Sequence, residues 1–228
     1  MNKKYIGIHR EGWKFFIIFI LISFFSFFVT KTIFLISLSL SIFTLWFFRD
    51  PERHFDSKDN QLLSAADGKI CFIGEENPPS ETQFKEKMKK ISIFMNVFNV
   101  HVNRSPVDGN IEKIIYKNGK FFNASLDKAS EHNERNSFII KNNTDKIVVV
   151  QIAGLIARRI LSFISEGDKI DKGDRIGLIR FGSRVDIYFP PTYDIKVKQD
   201  DIVVAGETII AERSVSYTHL TLPTTPYV

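Results

Sequence analysis

Ser64-Ala65-Ala66-Asp67-Gly68-Lys69-Ile70 returns 41 residues later as Ser105-Pro106-Val107-Asp108-Gly109-Asn110-Ile111. In each copy an Asp-Gly turn opens directly into a run of alternating apolar residues, which is how a strand entered from a tight turn reads. A second echo pairs Glu166-Gly167-Asp168-Lys169-Ile170-Asp171-Lys172-Gly173-Asp174 with Lys198-Gln199-Asp200-Asp201-Ile202-Val203-Val204-Ala205-Gly206-Glu207. Both have the form of a β-hammerhead turn, where glycines and aspartates supply left-handed backbone between short strands.

Working outward, alternating apolar runs predict strands over 70–74, 91–95, 111–116, 137–141, 146–152, 175–180, 185–189 and 208–212. Helical periodicity is sparse here, its best case being 155–163, and 75–90, with Pro78-Pro79 and Lys85, Lys87, Lys89 and Lys90, reads as a polar loop or a short solvated helix. The expected fold is mostly β (α+β), resembling the barrel-sandwich hybrids, with an N-terminal hydrophobic helical hairpin.

That hairpin is read from composition. Eleven of the 22 Phe lie in the first 48 residues, no Asp precedes Asp50, and residues 15–48 carry one charge, Lys31. A straight helix through all 34 would be about 51 Å long against a hydrocarbon core of about 30 Å, so two helices turning near Thr30-Lys31-Thr32 fit better. Lys3, Lys4, Arg10 and Lys14 precede the run and Arg49 and Arg53 follow it, which places both ends on the cytoplasmic side. A cleaved signal peptide is the rival reading, but the apolar region is too long and no Ala precedes Ala65.

The organisation expected is therefore 1–48, a membrane-anchoring helical segment; 49–213, a β domain; and 214–228, a tail that looks like a translated sequencing adapter and is set aside as non-native. A single cysteine excludes a disulfide scaffold and a cysteine zinc site, and 44% apolar residues exclude a disordered chain. The net charge of +5 is explained by anionic lipid, and nothing points to nucleic acid.

Two places could carry chemistry. His101 stands in Phe98-Asn99-Val100-His101-Val102-Asn103-Arg104-Ser105-Pro106, between an apolar strand and the second Asp-Gly turn; a lone His there is often structural, and no second His, Cys or carboxylate cluster implies a metal. Gly182-Ser183, in Arg180-Phe181-Gly182-Ser183-Arg184-Val185-Asp186, could be a bulge or a tight turn. It is not a hydrolase elbow, since Val185 stands where the second Gly is required.

Taken together the motifs resemble the phosphatidylserine decarboxylase family in its short, membrane-associated bacterial form. Those that carry the resemblance are Phe47-Phe48-Arg49-Asp50-Pro51-Glu52-Arg53, Ser64-Ala65-Ala66-Asp67-Gly68, His101 through Gly109, Glu134-Arg135-Asn136, Gln151-Ile152-Ala153-Gly154-Leu155-Ile156-Ala157-Arg158-Arg159 and Phe181-Gly182-Ser183-Arg184-Val185-Asp186. The resemblance implies self-cleavage between Gly182 and Ser183, with Ser183 Oγ attacking the Gly182 carbonyl and Ser183 becoming a covalent pyruvoyl group. No metal and no pyridoxal phosphate is implied. The products would be a β chain, 1–182, and an α chain from 183 onward, paired as a heterodimer that could assemble further. It also implies His101 as base, with Asp67 as its partner. Longer members carry a second His three residues after the first, and here that place is Arg104.

The implied reaction is decarboxylation of phosphatidylserine to phosphatidylethanolamine through a Schiff base with the pyruvoyl group, at the inner membrane with the catalytic domain on the cytoplasmic side. His101 is the expected proton donor, and Arg158, Arg159 and Arg184 are candidates for the lipid phosphate. A related seryl lipid such as archaetidylserine would leave these motifs unchanged. Two other classes compete: a membrane-anchored, non-enzymatic barrel-sandwich adaptor, which gives no role to Gly182-Ser183 or His101, and a soluble pyruvoyl decarboxylase, which gives none to the Phe-rich segment.

Overall fold

The structure, a computed structural model, describes residues 7–120, 132–143, 145–154, 159–180 and 183–214. The apolar N-terminus forms two helices, α1 (Arg10–Phe27) and α2 (Lys31–Phe47), which turn back on each other at 28–30. Small residues line the seam: Gly12, Ser23 and Ser26 of α1 and Ser37, Ser41 and Thr44 of α2 are buried, and Ser23 Oγ donates to Ser37 Oγ at 2.8 Å. Small side chains let two backbones approach, which leaves the large apolar ones outside. Phe24, Phe25, Phe27, Phe28 and Val29 are accordingly exposed around the tip. Among the described residues no helix is long and apolar enough to cross a membrane.

The rest is β structure. In chain order the strands are β1 (Gln61–Leu63), β2 (Gly68–Glu76), β3 (Met88–Met95), β4 (Val102–Arg104), β5 (Gly109–Lys117), β6 (Arg135–Lys141) and β7 (Lys146–Ala153). They continue with β8 (Ile160–Ser162), β9 (Lys169–Ile170), β10 (Arg175–Ile179), β11 (Ser183–Phe189), β12 (Tyr193–Ile195), β13 (Ile202–Val203) and β14 (Ile209–Arg213). Eight form one sheet in the order β13-β2-β3-β11-β7-β6-β5-β9, and two three-stranded sheets, β1-β14-β12 and β4-β10-β8, close over it. The pairings between these strands are antiparallel, and one isolated bridge, Lys120 with Asn133, is parallel.

The two echoes in the sequence are one device used twice. Each Asp-Gly turn docks onto one hammerhead turn: the Ala205 N–H donates to Asp67 Oδ1 at 2.8 Å, and the Lys172 N–H donates to Asp108 Oδ1 at 2.7 Å. The serine of each turn folds its hydroxyl back, Ser64 Oγ to the Ala66 carbonyl at 2.7 Å and Ser105 Oγ to the Val107 carbonyl at 2.6 Å. Gly206 and Gly173 take left-handed φ of 73° and 84° and donate to the Ser64 and Ser105 carbonyls. Gly68 and Gly109 are required because a Cβ there would stand 2.2 Å from the Phe94 carbonyl oxygen and 2.6 Å from that of Lys141.

On one face of the large sheet Ile70, Ile91, Ile93, Phe138, Val149, Val185 and Ile187 build the main core. A smaller cluster joins the hairpin to the domain, where Phe47 and Phe48 pack on Val100, Val102 and Leu178. The expected helix at 155–163 is not formed in its described part: Ile160–Ser162 is strand β8, which pairs with β10 because that strand's edge would otherwise stand open. The 75–90 segment is partly strand, with a single 3-10 turn at Ser80–Thr82, and its Lys90 is buried against Glu76 and Asp186. Residues 215–228 of the presumed tail lie outside the described residues; Ser214 donates its N–H to the Thr192 carbonyl at 3.0 Å.

Candidate active site

Strand β11 is the centre of the large sheet, with β3 on one side and β7 on the other, and Ser183 is its first residue, set between Met95 and Ala153. Alternation along the strand sends Ser183, Val185 and Ile187 into the main core and Arg184, Asp186 and Tyr188 to the other face. Ser183 is fully buried, and its Oγ has no hydrogen-bond partner among the described residues. Gly182 lies outside the described residues.

His101 reaches the same end of the sheet by a different route. The chain leaves β3 at Met95, turns at 96–99 and passes through His101 into β4, and the Ile179 N–H at the end of β10 meets the His101 carbonyl at 3.4 Å, four residues before Ser183. The ring is buried and lies against Phe47, centroids 4.3 Å apart. Nδ1 is 2.9 Å from the Asn99 carbonyl. A carbonyl can only accept, so Nδ1 carries the hydrogen and the lone pair of the neutral ring is on Nε2. Burial lowers the pKa to about 4, the Asn99 contact opposing and the positive charge of Arg49 assisting. The ring is therefore neutral at pH 7.

Asp67 is two strand spacings from Ser183 across β3, roughly 10 Å in the sheet frame. Its carboxylate is held by Arg53, at 3.1 and 2.8 Å, and by the Ala205 N–H, so the group that orients His101 Nδ1 is the Asn99 carbonyl and not Asp67. Burial raises the Asp67 pKa against the pull of Ala205 and Arg53. The charge of Arg49 acts on both Asp67 and His101.

Three polar residues that sequence reasoning did not single out form one buried hydrogen-bonded chain, with Gln151 two residues from Ala153, the strand partner of Ser183. Gln151 Nε2 donates to Asn103 Oδ1 at 2.7 Å, Asn136 Nδ2 donates to Gln151 Oε1 at 3.3 Å, and all three side chains are buried. Asn103 and Gln151 belong to the quoted motifs, and their signal is a carboxamide in an otherwise apolar strand, which a core accepts only when it is hydrogen-bonded. Arg104, at the position of the second His in longer members, is a clamp instead: it donates to Asp50, the Pro51 carbonyl and the Gly173 carbonyl at 3.1, 2.9 and 2.9 Å. Arg184 is buried with Asp186, 2.8 Å away, on the face opposite Ser183. Arg159 is exposed at the hairpin base, and Arg158 lies outside the described residues.

Ser183 is thus buried at the head of the central strand, and the neutral His101 lies at the same end of the sheet. Relatives that span nearly the whole chain carry the word proenzyme in their names. The chain is 50% identical over 213 residues to the phosphatidylserine decarboxylase proenzyme of Azorhizobium caulinodans, covering 93% of this chain and 91% of the relative. It is 47% identical over 215 residues to that of Xanthobacter autotrophicus, covering 94% and 92%. It is 49% identical over 215 residues to that of Pelagibacter ubique, covering 93% and 100%. Residues 40–211 match the family model of phosphatidylserine decarboxylase, and the chain belongs to that family.

Proposed function

We propose that this chain is the precursor of a pyruvoyl-dependent carboxy-lyase that cuts itself between Gly182 and Ser183 and then converts phosphatidylserine to phosphatidylethanolamine and CO2. The observation that carries the reading is the Ser183 hydroxyl, buried and without a partner among the described residues, in a chain of this family. A buried hydroxyl left unsatisfied costs about 1–3 kcal/mol, and such groups in native proteins mark strain or chemistry.

The residues suit the steps asked of them. Asn99 fixes the His101 tautomer, and Nε2 of the neutral ring is the position that takes the Ser183 proton as Oγ turns on the Gly182 carbonyl. The pyruvoyl group made from Ser183 supplies a carbonyl for the substrate amine and an electron sink for the pair left by CO2. In each turnover His101 Nε2 takes a proton from the substrate's ammonium group and delivers it to the substrate carbon left by CO2. The Asn103–Gln151 pair is a fixed, buried polar link, Gln151 standing two residues from Ala153, the strand partner of Ser183. Asp67 steadies Arg53 and offsets the charge of Arg49, through which it acts on His101.

The hairpin brings this site to its lipid. Its outward faces are apolar, and Trp13, Trp46 and Phe98 are exposed at its domain end, where amphipathic rings settle at headgroup level. We read it as embedded from the cytoplasmic side of the inner membrane without crossing it. The test is the intact denatured mass of the purified chain beside Ser183→Ala. Two chains ending at Gly182 and starting at position 183, the second lighter than encoded by one ammonia, are expected only in the unmutated protein. A single uncut chain in both would sink the proposal.

A further inference from the structure

Where the hairpin meets the β domain there is a cavity of about 360 Å3 that none of the steps above uses. Its size falls within the roughly 300–1,000 Å3 of small-ligand pockets. Three cations line it: Lys14 of α1, Arg159 just before β8, and Arg180 just after β10. One carboxylate, Glu11, faces them, bound to Arg180 and to Lys14, the latter at 3.1 Å, so the lining keeps an excess of positive charge. Arg180 is mostly buried, and its Nε has no hydrogen-bond partner among the described residues. A buried guanidinium N–H without an acceptor is a donor waiting for one, and a phosphate oxygen is the acceptor that Arg matches best.

The other walls are Phe15, Ile18 and Leu161. Phe15 and Ile18 open a stripe that continues along α1 through Ile22 and Phe25, at helical spacing, toward the exposed tip. The cavity is thus cationic at its mouth and apolar along one exit. Arg180 is three residues before Ser183, a stretch of chain that spans at most about 10 Å.

We propose that this cavity holds the phosphodiester of the lipid substrate, with Arg159, Arg180 and Lys14 on the phosphate oxygens and the acyl chains laid along the Ile18-Ile22-Phe25 stripe. The proposal rests on the decarboxylase reading and deepens it. The serine end of the headgroup then points toward Ser183 while the chains stay in the membrane. Glu11 is a competitor for Arg180 that the phosphate must displace.

The test is calorimetric titration of sn-glycero-3-phosphoserine into the full chain carrying Ser183→Ala, in a neutral detergent, so that no self-cleavage is required. Saturable binding is expected, weakened about tenfold by Arg159→Gln and by Arg180→Gln, unchanged by the distant Lys146→Gln, and tightened a few-fold by Glu11→Gln, which frees Arg180. The last effect is one that a merely structural role for these residues would not give. Absence of binding, an affinity in the two arginine variants unchanged from that of the Ser183→Ala parent, or inorganic phosphate binding as tightly as glycerophosphoserine would each overturn the assignment. An unmutated protein that stays uncut would sink the parent reading alone, because the titration is made on the uncut chain.

Discussion

At the scale of the residue, His101 ties the site to pH. Its folded pKa is about 4 against an ordinary 6.5, so between those values the unfolded chain binds the proton and the folded one does not. The stability this contributes is complete above pH 6.5 and is lost as pH falls toward 4, by roughly 3 kcal/mol in all. Urea midpoints of Ser183→Ala at pH 7.5 and 5 should therefore differ, and adding His101→Gln should shrink the difference. In the Ser183 chain His101→Gln should slow self-cleavage at least about 100-fold, read by gel over time. Asp67 has an internal control in Asp108, which accepts the same backbone bond in the second turn. Asp67→Asn and Asp108→Asn should each lose about 1–2 kcal/mol, whereas only Asp67→Asn should slow cleavage several-fold. Equal cleavage rates in the two would remove Asp67 from the site. Arg104→Met strips a buried carboxylate, Asp50, of one of its two arginines and should cost about 3 kcal/mol by thermal unfolding.

At the scale of the element, the hairpin separates what seals it from what faces outward. Phe25 and Phe28 are exposed and meet the rings of Phe24 and Phe27 at the tip, away from the seam, so Phe25→Glu with Phe28→Glu should leave thermal unfolding nearly unchanged and reduce flotation with anionic vesicles at least tenfold. Gly12→Leu should do the reverse damage, since any Cβ there meets Phe48 Cβ at 2.5 Å and pries the hairpin from the domain. The two helices were legible because one lysine broke the apolar run. The eight longer strands were legible from alternation; β1, β4, β8, β9, β12 and β13, of two or three residues each, were not, because so short a run has no period to read. The 155–163 expectation failed in its described part for a related reason: an amphipathic stretch beside an open strand edge takes the edge. In the site, Ser183 and His101 could be found from motifs. The Asn99 carbonyl that fixes the His101 tautomer could not, because a main-chain acceptor leaves no mark on residue identity, and the Asn103–Gln151 pair brings together positions 48 residues apart.

At the scale of the whole molecule, the position of the proposed cut would decide what kind of pair the two chains make. The α chain would begin with β11, paired on both sides to strands of the β chain, and β13 and β14 pair with β2 and β1. The chains should copurify through high salt and separate only in denaturant, which size exclusion before and after urea would check. Under the proposed cut, only the uncut polypeptide would hold that central strand beside its neighbours as a matter of connectivity, so the sheet would be assembled once, by a precursor, and the chain then severed at the head of its central strand. After that the fold is a record of its own history. Diluted from urea, Ser183→Ala should recover its sheet by circular dichroism at any concentration, whereas the cut pair must rediscover itself as two molecules and should recover little when dilute. Its working life is then set by how slowly it first comes apart, a rate and not an equilibrium.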